Sequence, residues 1–228
     1  MNYDAFIFDM DGTLADTSPG VFAGLKITFD ALGIPIPGDE VMRKFIGPPL
    51  ISSFKREYDM DDAQANRAAG VFRSFYGERG MFMCELYPGM RELLFRLKNA
   101  GARLTVATLK LESSARHIVE HLGLSGVFDA VIGADPGGIR TKKDTVLFGL
   151  AEAGCVSPDR ALLIGDSEYD AVGARQAGVD FCAAMYGFGF DDPSLVDKNP
   201  CAYRIYSPME LWDIMECQDS AVRAGTTL

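Results

Sequence analysis

The sequence is poor in several residues that mark particular classes of protein. It has two histidines and one tryptophan, and its 22 lysines and arginines are outnumbered by 32 aspartates and glutamates, which gives a net charge of −10. A surface of this sign repels a polyphosphate backbone, so we expect no nucleic-acid partner. An anionic ligand would instead have to meet a few well-placed cations.

Long apolar runs and paired cysteines are also missing. No run approaches the ~18 residues of a membrane span, and the N-terminal residues do not have the pattern of a signal peptide. The five cysteines are scattered, with no Cys-x-x-Cys pair, as is typical of thiols in a reducing compartment. They are Cys84, Cys155, Cys182, Cys201 and Cys217. We therefore expect a cytoplasmic, soluble protein that does not bind membranes.

What the sequence does have is a succession of short apolar runs separated by helical patterns. The runs are residues 5–8, 104–107, 130–132 and 161–164, with weaker ones at 181–185 and 203–205. They are almost continuously hydrophobic, as expected of parallel strands covered by helices on both faces. Several of the helical patterns end at a glycine, a common helix stop. This order predicts an α/β fold with a doubly wound, Rossmann-like parallel sheet.

Residues 16–86 do not follow the alternation of strand and helix. Asp16-Thr17-Ser18-Pro19 is a good helix start, with a capping side chain and an early proline. Helical patterns follow, and no run in this segment resembles a strand. We predict an α-helical cap formed by residues 16–86, inserted into a catalytic core formed by residues 1–15 and 87–228.

Polar residues interrupt the apolar runs at the ends of the predicted strands. Asp9 and Asp11 follow the first strand, Thr108 follows the second, and Asp166 follows the run 161–164. Ligands of open α/β sheets bind outside the carboxyl ends of the strands, so these side chains should meet at one edge. Asp170 lies one helical turn beyond Asp166 and can face the same site.

Crowded carboxylates repel one another and take up protons unless a cation lies between them. Oxygen donors without a nearby histidine or cysteine favour a hard ion, above all Mg²⁺. We expect Asp9 and Asp166 to bind it through their side chains and Asp11 through its backbone carbonyl. Asp170 would bind it directly or through water. The Asp11 side chain would then be free for proton transfer.

Cationic residues near these strand ends are candidates for phosphate binding. Lys143 precedes a predicted helix between two site-bearing strands, and we expect it to contact phosphate, in preference to Lys142 and Lys110. In the cap, Arg43 and Arg73 could meet a second anionic group of a substrate or be solvated. Of the two we select Arg73 as the substrate-binding candidate.

These segments resemble the haloacid dehalogenase superfamily of phosphohydrolases along nearly the whole chain. Residues 8–14 (FDMDGTL) are similar to its first motif, Thr108 to its second, Lys143 to its third and residues 165–170 (GDSEYD) to its fourth. The helical insert resembles the α-helical cap of the family. Within it, FIGPPL at 45–50 resembles a subgroup similar to phosphoglycolate phosphatases and 5′-nucleotidases.

The resemblance implies a mechanism and a class of substrate. Asp9 would attack phosphorus and form an aspartyl-phosphate, and Asp11 would act as acid and then as base. Mg²⁺, Thr108 and Lys143 would hold the phosphate oxygens. The substrate would be a small phosphorylated metabolite with a phosphate monoester group.

Two alternatives stay open at this stage. A phosphosugar mutase shares all four motifs, and a non-enzymatic binding protein could use the same fold, although both Asp9 and Asp11 are present. One departure from the family pattern is Leu109-Lys110-Leu111, where relatives often carry serine or asparagine followed by Lys-Pro. The residues do not indicate an oligomeric state.

Overall fold

The computed structural model of the protein describes residues 2–154, 156–190 and 193–225. Cys155 lies outside the described residues, and so does the side chain of Cys217. Within the described ranges, no helix combines the length and the apolar character needed to cross a membrane.

The described part of the chain forms eight strands and ten α-helices. The strands are β1 (Ala5–Phe8), β2 (Ala15–Asp16), β3 (Glu85–Leu86), β4 (Arg103–Leu111), β5 (Ala130–Ala134), β6 (Ala161–Gly165), β7 (Asp180–Ala184) and β8 (Tyr203–Ile205). The helices are α1 (Ser18–Ala31), α2 (Asp39–Arg43), α3 (Leu50–Tyr58), α4 (Asp62–Glu78), α5 (Met90–Asn99), α6 (Glu112–His121), α7 (Lys142–Glu152), α8 (Glu168–Ala177), α9 (Pro193–Asp197) and α10 (Pro208–Gly225).

Six of the strands form one parallel sheet in the order β5-β4-β1-β6-β7-β8. The first strand of the chain lies near the centre, where Phe8 is level with Val106 of β4 and with Ile164 of β6. Strands β4 and β5 lie on one side of β1, and strands β6, β7 and β8 lie on the other, which is the topology of a doubly wound sheet. The predicted fold class is confirmed.

Strand β4 is longer than the sequence analysis predicted, and this corrects the placement of Thr108. The predicted strand ended at Ala107 because polar residues follow it, yet Leu109 and Leu111 continue an apolar alternation and β4 extends to Leu111. Thr108 therefore lies within the strand. The pairing with β5 shifts between Ala107 and Leu111, so the end of β4 departs from a regular ladder beside the site.

Alternating residues of β1 pack into two apolar clusters on opposite faces of the sheet. Ile7 belongs to the cluster that contains Val146 of α7 and Ala174 of α8. Phe6 belongs to the other cluster, with Leu93 of α5. Full burial of a large apolar side chain contributes about 1.5–3 kcal/mol. Helices on both faces thus fix the position of β1 and of the residues that follow it.

Helices α1–α4 form the segment that we call the cap, and aromatic rings fill its interior. Phe29 lies 6.2 Å from Phe54 between ring centroids, and Phe45 lies 5.0 Å from Phe54. The expectation that this segment contains no strand was wrong at its two ends. There β2 and β3 pair antiparallel, and two-residue strands are too short to produce a recognisable apolar run. The boundaries of the cap stay a prediction.

Candidate active site

Neighbouring strands bring three of the predicted metal-binding aspartates to one edge of the sheet. Asp9 directly follows β1, Asp166 directly follows β6, and Asp170 lies in the first turn of α8. Since β1 and β6 are parallel and in register, their carboxyl ends coincide. One carboxylate oxygen from each aspartate lies within 4.8 Å of the others, and all three residues are buried.

The lysine in this cluster is Lys142, whereas the sequence analysis had favoured Lys143 as the phosphate contact. Lys142 Nζ donates hydrogen bonds to Asp9 Oδ1 at 2.5 Å and to the Ala107 carbonyl oxygen at 2.6 Å. It also lies 2.6 Å from Asp170 Oδ1. Lys143 is exposed.

Helix geometry explains which of the two lysines enters the site. Thr141 is the N-cap of α7 and accepts a hydrogen bond from the Asp144 N–H, so the helix begins at Lys142. Residues four apart share a helix face, and Lys142 shares its face with the buried Val146 and Leu150. This apolar stripe is visible in the sequence and indicates that Lys142, rather than Lys143, faces the core.

Asp170 orients Lys142 as well as contributing a carboxylate to the cluster. Its Oδ2 accepts hydrogen bonds from the Ser167 N–H at 3.0 Å and from the Ser167 hydroxyl at 2.6 Å. Its Oδ1 contacts Lys142. The side chain is thus held at both oxygens, which fixes the ammonium group between Asp170 and Asp9.

A glycine-containing loop after β7 holds Asp166. Asp166 Oδ2 accepts backbone hydrogen bonds from Phe188 at 2.6 Å and from Gly189 at 3.1 Å. A β-carbon added at Gly12 or at Gly187 would overlap Asp166. Both glycines are therefore required for the close approach of backbone to this carboxylate.

Asp11 lies apart from the three-carboxylate cluster and has its own partners. Its Oδ1 accepts a hydrogen bond of 2.5 Å from the Thr17 hydroxyl, and Lys110 Nζ lies 3.1 Å from the same atom. The structure thus separates the Asp11 side chain from the three clustered carboxylates, and its part in proton transfer stays a prediction. Lys110, which the sequence analysis had ranked below Lys143, is partly buried and contacts Asp11.

Thr108 is buried at the same edge of the sheet. Its hydroxyl oxygen accepts the Lys110 backbone N–H at 3.2 Å, which leaves the hydroxyl proton of Thr108 to be donated elsewhere. Thr108 therefore offers a hydrogen-bond donor at this edge, and its contact with phosphate stays a prediction.

Burial and mutual repulsion shift the acidities of the cluster. Burial raises the pKa of Asp9 to about 7, while the charge of Lys142 opposes the shift. Burial, together with the charges of Asp170 and Asp9, raises the pKa of Asp166 well above its ordinary value. For Lys142, burial favours a lower pKa, but Asp170 and Asp9 outweigh it and raise the pKa.

The residues of the cluster fit a divalent cation. Three buried carboxylates face a single buried lysine, so the fully ionised cluster has an excess of negative charge. Burial, with repulsion between the carboxylates as a smaller cause, raises the pKa values of Asp9 and Asp166. All the offered side-chain donors are oxygens, which is the set that hard cations prefer.

The cap contributes one side of a cleft beside these residues. The cleft has a volume of about 530 Å³ and is lined by Pro49 of the cap, Leu109 of β4 and Tyr169 of α8, with Lys142 among its other residues. Arg73 is exposed on α4 and is not one of the residues that the structure brings to the aspartates. Its predicted contact with substrate stays a prediction.

Comparison with known proteins identifies the relatives of the chain. It is 33% identical over 192 residues to a 5′-nucleotidase of Pseudomonas aeruginosa, covering 84% of this chain and 87% of the relative. It is 35% identical over 196 residues to a phosphoglycolate phosphatase of Caulobacter vibrioides, covering 82% and 81%. It is also 34% identical over 193 residues to the tyrosine-protein kinase PtkA of Mycobacterium tuberculosis, covering 84% of this chain and 65% of PtkA.

Solved structures and a family profile agree with these relatives. A crystal structure described as a predicted phosphatase from Clostridium acetobutylicum superimposes with a TM-score of 0.87 at 33% identity, covering 94% of this chain and 99% of that one. The profile of the haloacid dehalogenase-like hydrolases matches residues 6–184. The chain therefore belongs to the haloacid dehalogenase-like hydrolase family and is an enzyme of that family.

Proposed function

We propose that the protein is a Mg²⁺-dependent phosphatase that hydrolyses a small phosphate monoester through an aspartyl-phosphate on Asp9. The observation that carries this proposal is that Asp9 and Asp11, two residues apart in the sequence, have carboxylates with different partners. Asp9 faces Lys142 and the acidic cluster, whereas Asp11 faces Thr17 and Lys110. These different partners support an attack on phosphorus by Asp9 and a proton transfer by Asp11.

Asp9, Asp166 and Asp170 are the residues that would hold Mg²⁺, with the backbone carbonyl of Asp11 as a further oxygen. When bound, the cation neutralises carboxylate charge and the charge of the phosphate oxygens. Asp166 is positioned for this role because two backbone N–H groups fix one of its oxygens. Ser167 holds one oxygen of Asp170 and Lys142 contacts the other. Asp170 would therefore bind the cation and orient Lys142 at the same time.

The first chemical step is the attack of an Asp9 carboxylate oxygen on phosphorus, in line with the departing ester oxygen. A new O–P bond forms as the P–O bond to the leaving group breaks. Lys142 and Thr108 donate hydrogen bonds to the phosphate oxygens on which charge accumulates. Lys142 takes this role in place of Lys143, because it is the lysine that contacts Asp9.

Asp11 acts in both halves of the reaction. It gives its proton to the departing oxygen, so that an alcohol leaves. The resulting carboxylate then takes a proton from the water that attacks the aspartyl-phosphate, and inorganic phosphate leaves as Asp9 is regenerated. The cap supports both steps by covering the site, as the contact between Tyr76 of α4 and Lys110 of the core illustrates.

Relatives of two activities guide the choice of substrates. The 5′-nucleotidase and the phosphoglycolate phosphatase both cover more than four-fifths of this chain, at 33% and 35% identity. We therefore propose that the substrate is a small phosphorylated metabolite, either a nucleoside 5′-monophosphate or phosphoglycolate. A phosphosugar mutase stays as the alternative outcome of the test.

The test is phosphate release from a panel of phosphate monoesters with Mg²⁺ and with a chelator. The panel contains phosphoglycolate, nucleoside 5′-monophosphates and sugar phosphates, and the variants are Asp9→Asn and, as a matched control, Asp30→Asn at an exposed position of α1. We expect Asp9→Asn to abolish release and Asp30→Asn to retain it. Full activity of Asp9→Asn would contradict the nucleophile, and activity in the chelator would contradict Mg²⁺. Isomerisation of a hexose 1-phosphate without release would establish the mutase.

We also propose a cytoplasmic location. Among the residues that the structure describes, Cys84, Cys182 and Cys201 are free thiols, as expected in a reducing compartment. Immunoblotting of cytosolic and membrane fractions tests this, and recovery in the membrane fraction would contradict it.

A further inference from the structure

Lys110 is a partly buried lysine that joins the cap to the proposed proton donor. Its Nζ lies 3.1 Å from Asp11 Oδ1 and donates a hydrogen bond of 2.9 Å to Tyr76 Oη. Only 12% of the Lys110 side chain is exposed, and Tyr76 is buried on α4. The site therefore contains a second lysine, which contacts Asp11, whereas Lys142 contacts Asp9 and Asp170.

The surroundings of Lys110 keep it charged. Burial of an ammonium group is costly unless opposite charges and hydrogen-bond acceptors replace water. The Asp11 carboxylate and the Tyr76 hydroxyl replace water around the Lys110 ammonium group. The backbone of the residue is fixed too, since its N–H donates to Thr108 Oγ1.

We propose that Lys110 is a positioning residue for Asp11, and that Tyr76 of the cap holds Lys110 where it acts. This inference rests on the proposed function, in which Asp11 donates a proton to the leaving group. As the P–O bond breaks, the Asp11 proton passes to the departing oxygen, an alcohol leaves and Asp11 becomes a carboxylate. Lys110 orients this carboxyl group and stabilises the negative charge that it acquires.

The same contacts make proton donation depend on the cap. The Lys110 ammonium lies 4.6 Å from the centroid of the Tyr76 ring, a distance at which the π-system attracts a cation. Tyr76 thus holds Lys110 by its ring and by its hydroxyl. When the cap moves away, Lys110 loses both contacts while Asp11 and Thr108 stay on the core. The acid is best positioned when the cap covers the substrate.

Substrates whose leaving groups differ in basicity distinguish the positioning of the Asp11 acid by Lys110 from a general effect of Lys110 on the site. An alkyl phosphate expels a strongly basic alkoxide and needs a proton from Asp11 as the bond breaks. p-Nitrophenyl phosphate expels a stable phenolate and needs little proton transfer. A residue that positions the acid should therefore matter more for the alkyl ester, whereas a residue that supports phosphate or the fold should affect both esters equally.

The experiment compares kcat/KM for p-nitrophenyl phosphate and for phosphoglycolate or AMP, whichever the wild type hydrolyses faster. The ratio kcat/KM includes the step in which Asp9 is phosphorylated and excludes the later hydrolysis. We expect Lys110→Met to lower kcat/KM at least about tenfold for the alkyl ester and less than about threefold for the aryl ester. Lys26→Met, at an exposed position of α1, should change neither.

Tyr76→Phe removes only the hydroxyl that accepts from Lys110 and keeps the ring, so it tests the cap contact with little risk to folding. We expect a selective loss for the alkyl ester of about three- to tenfold, the equivalent of one hydrogen bond. Tyr206→Phe is the matched control, because Tyr206 is 65% exposed. Thermal unfolding of each variant confirms that it folds.

Equal losses on the two esters in Tyr76→Phe or Lys110→Met, or no loss, would overturn the inference. A different result would contradict the proposed function, namely phosphate release by Asp9→Asn. If Asp9→Asn is inactive and the losses are equal, Asp9 stands as the nucleophile and Lys110 does not position the acid.

Discussion

Lys142 Nζ lies 2.5 Å from Asp9 Oδ1 while the neighbouring Lys143 is exposed to solvent. The ammonium group also contacts Asp170 and the carbonyl oxygen of Ala107, so each of its partners comes from a different part of the sheet edge. A lysine held in this way is pre-organised beside Asp9, and it can donate to a phosphate oxygen once one of these three acceptors gives up its hydrogen bond.

The first prediction concerns these two adjacent lysines. We expect Lys142→Met to lower kcat/KM by about 10²-fold or more, because a fixed donor to the charge of the transition state is lost. The measurement is steady-state phosphate release at saturating Mg²⁺ for whichever monoester the panel identifies.

Lys143→Met is the matched control, since it makes the same substitution one residue along the same helix. It should change kcat/KM by less than about threefold, as expected for a solvated surface charge. A large loss in Lys143→Met with a small one in Lys142→Met would show that the structure assigns the wrong lysine.

Much of the site could be predicted from the sequence because its geometry is set by the sheet. Asp9 and Asp166 each follow a continuous apolar run, and parallel strands align their carboxyl ends. The spacing of Asp166 and Asp170 places both at the start of one helix. These relationships are local, or follow from the sheet alone, so no knowledge of the cap is needed.

The residues that the sequence analysis missed depend on contacts between distant segments. The hydrogen bonds from Phe188 and Gly189 to Asp166 join a loop after β7 to the end of β6. The contact of Lys110 with Tyr76 depends on how the cap lies on the core. Lys142 differs from these residues, because its position four residues before Val146 on one helix face is visible in the sequence.

A second prediction concerns pH and the metal. The folded-state pKa of Asp9, about 7, lies above its ordinary value of 3.8. The folded protein without metal therefore holds a proton that the unfolded chain releases between these values, and its stability falls as the pH rises through that window. Mg²⁺ needs the ionised carboxylate and competes with that proton. We expect Mg²⁺ to raise the unfolding temperature more at pH 8 than at pH 5.5.

Differential scanning fluorimetry with and without Mg²⁺ at the two pH values makes this measurement. Asp166→Asn should reduce the Mg²⁺-dependent rise at pH 8, whereas Asp30→Asn should leave it intact. A rise that is as large at pH 5.5 as at pH 8 would exclude competition between the cation and protons at this cluster.

The third prediction tests the close approach of the loop after β7 to Asp166. Gly187→Ala adds a β-carbon that overlaps Asp166, so the carboxylate or the loop must shift and the two backbone hydrogen bonds to Oδ2 lengthen. We expect Mg²⁺ to bind about tenfold or more weakly, because the orientation of a metal-binding carboxylate depends on its own hydrogen-bond partners. The Mg²⁺ concentration at half-maximal activity measures this.

Gly70→Ala supplies the control for the added methyl group. An added β-carbon at Gly70 has no neighbour within 4 Å, and the residue lies inside α4, where alanine is favoured over glycine by roughly 0.5–1 kcal/mol. This variant should therefore unfold at a higher temperature and keep the Mg²⁺ requirement of the wild type. If Gly187→Ala also keeps that requirement, Asp166 does not depend on the loop for its orientation, and its hydrogen bonds to Phe188 and Gly189 serve the fold rather than the metal.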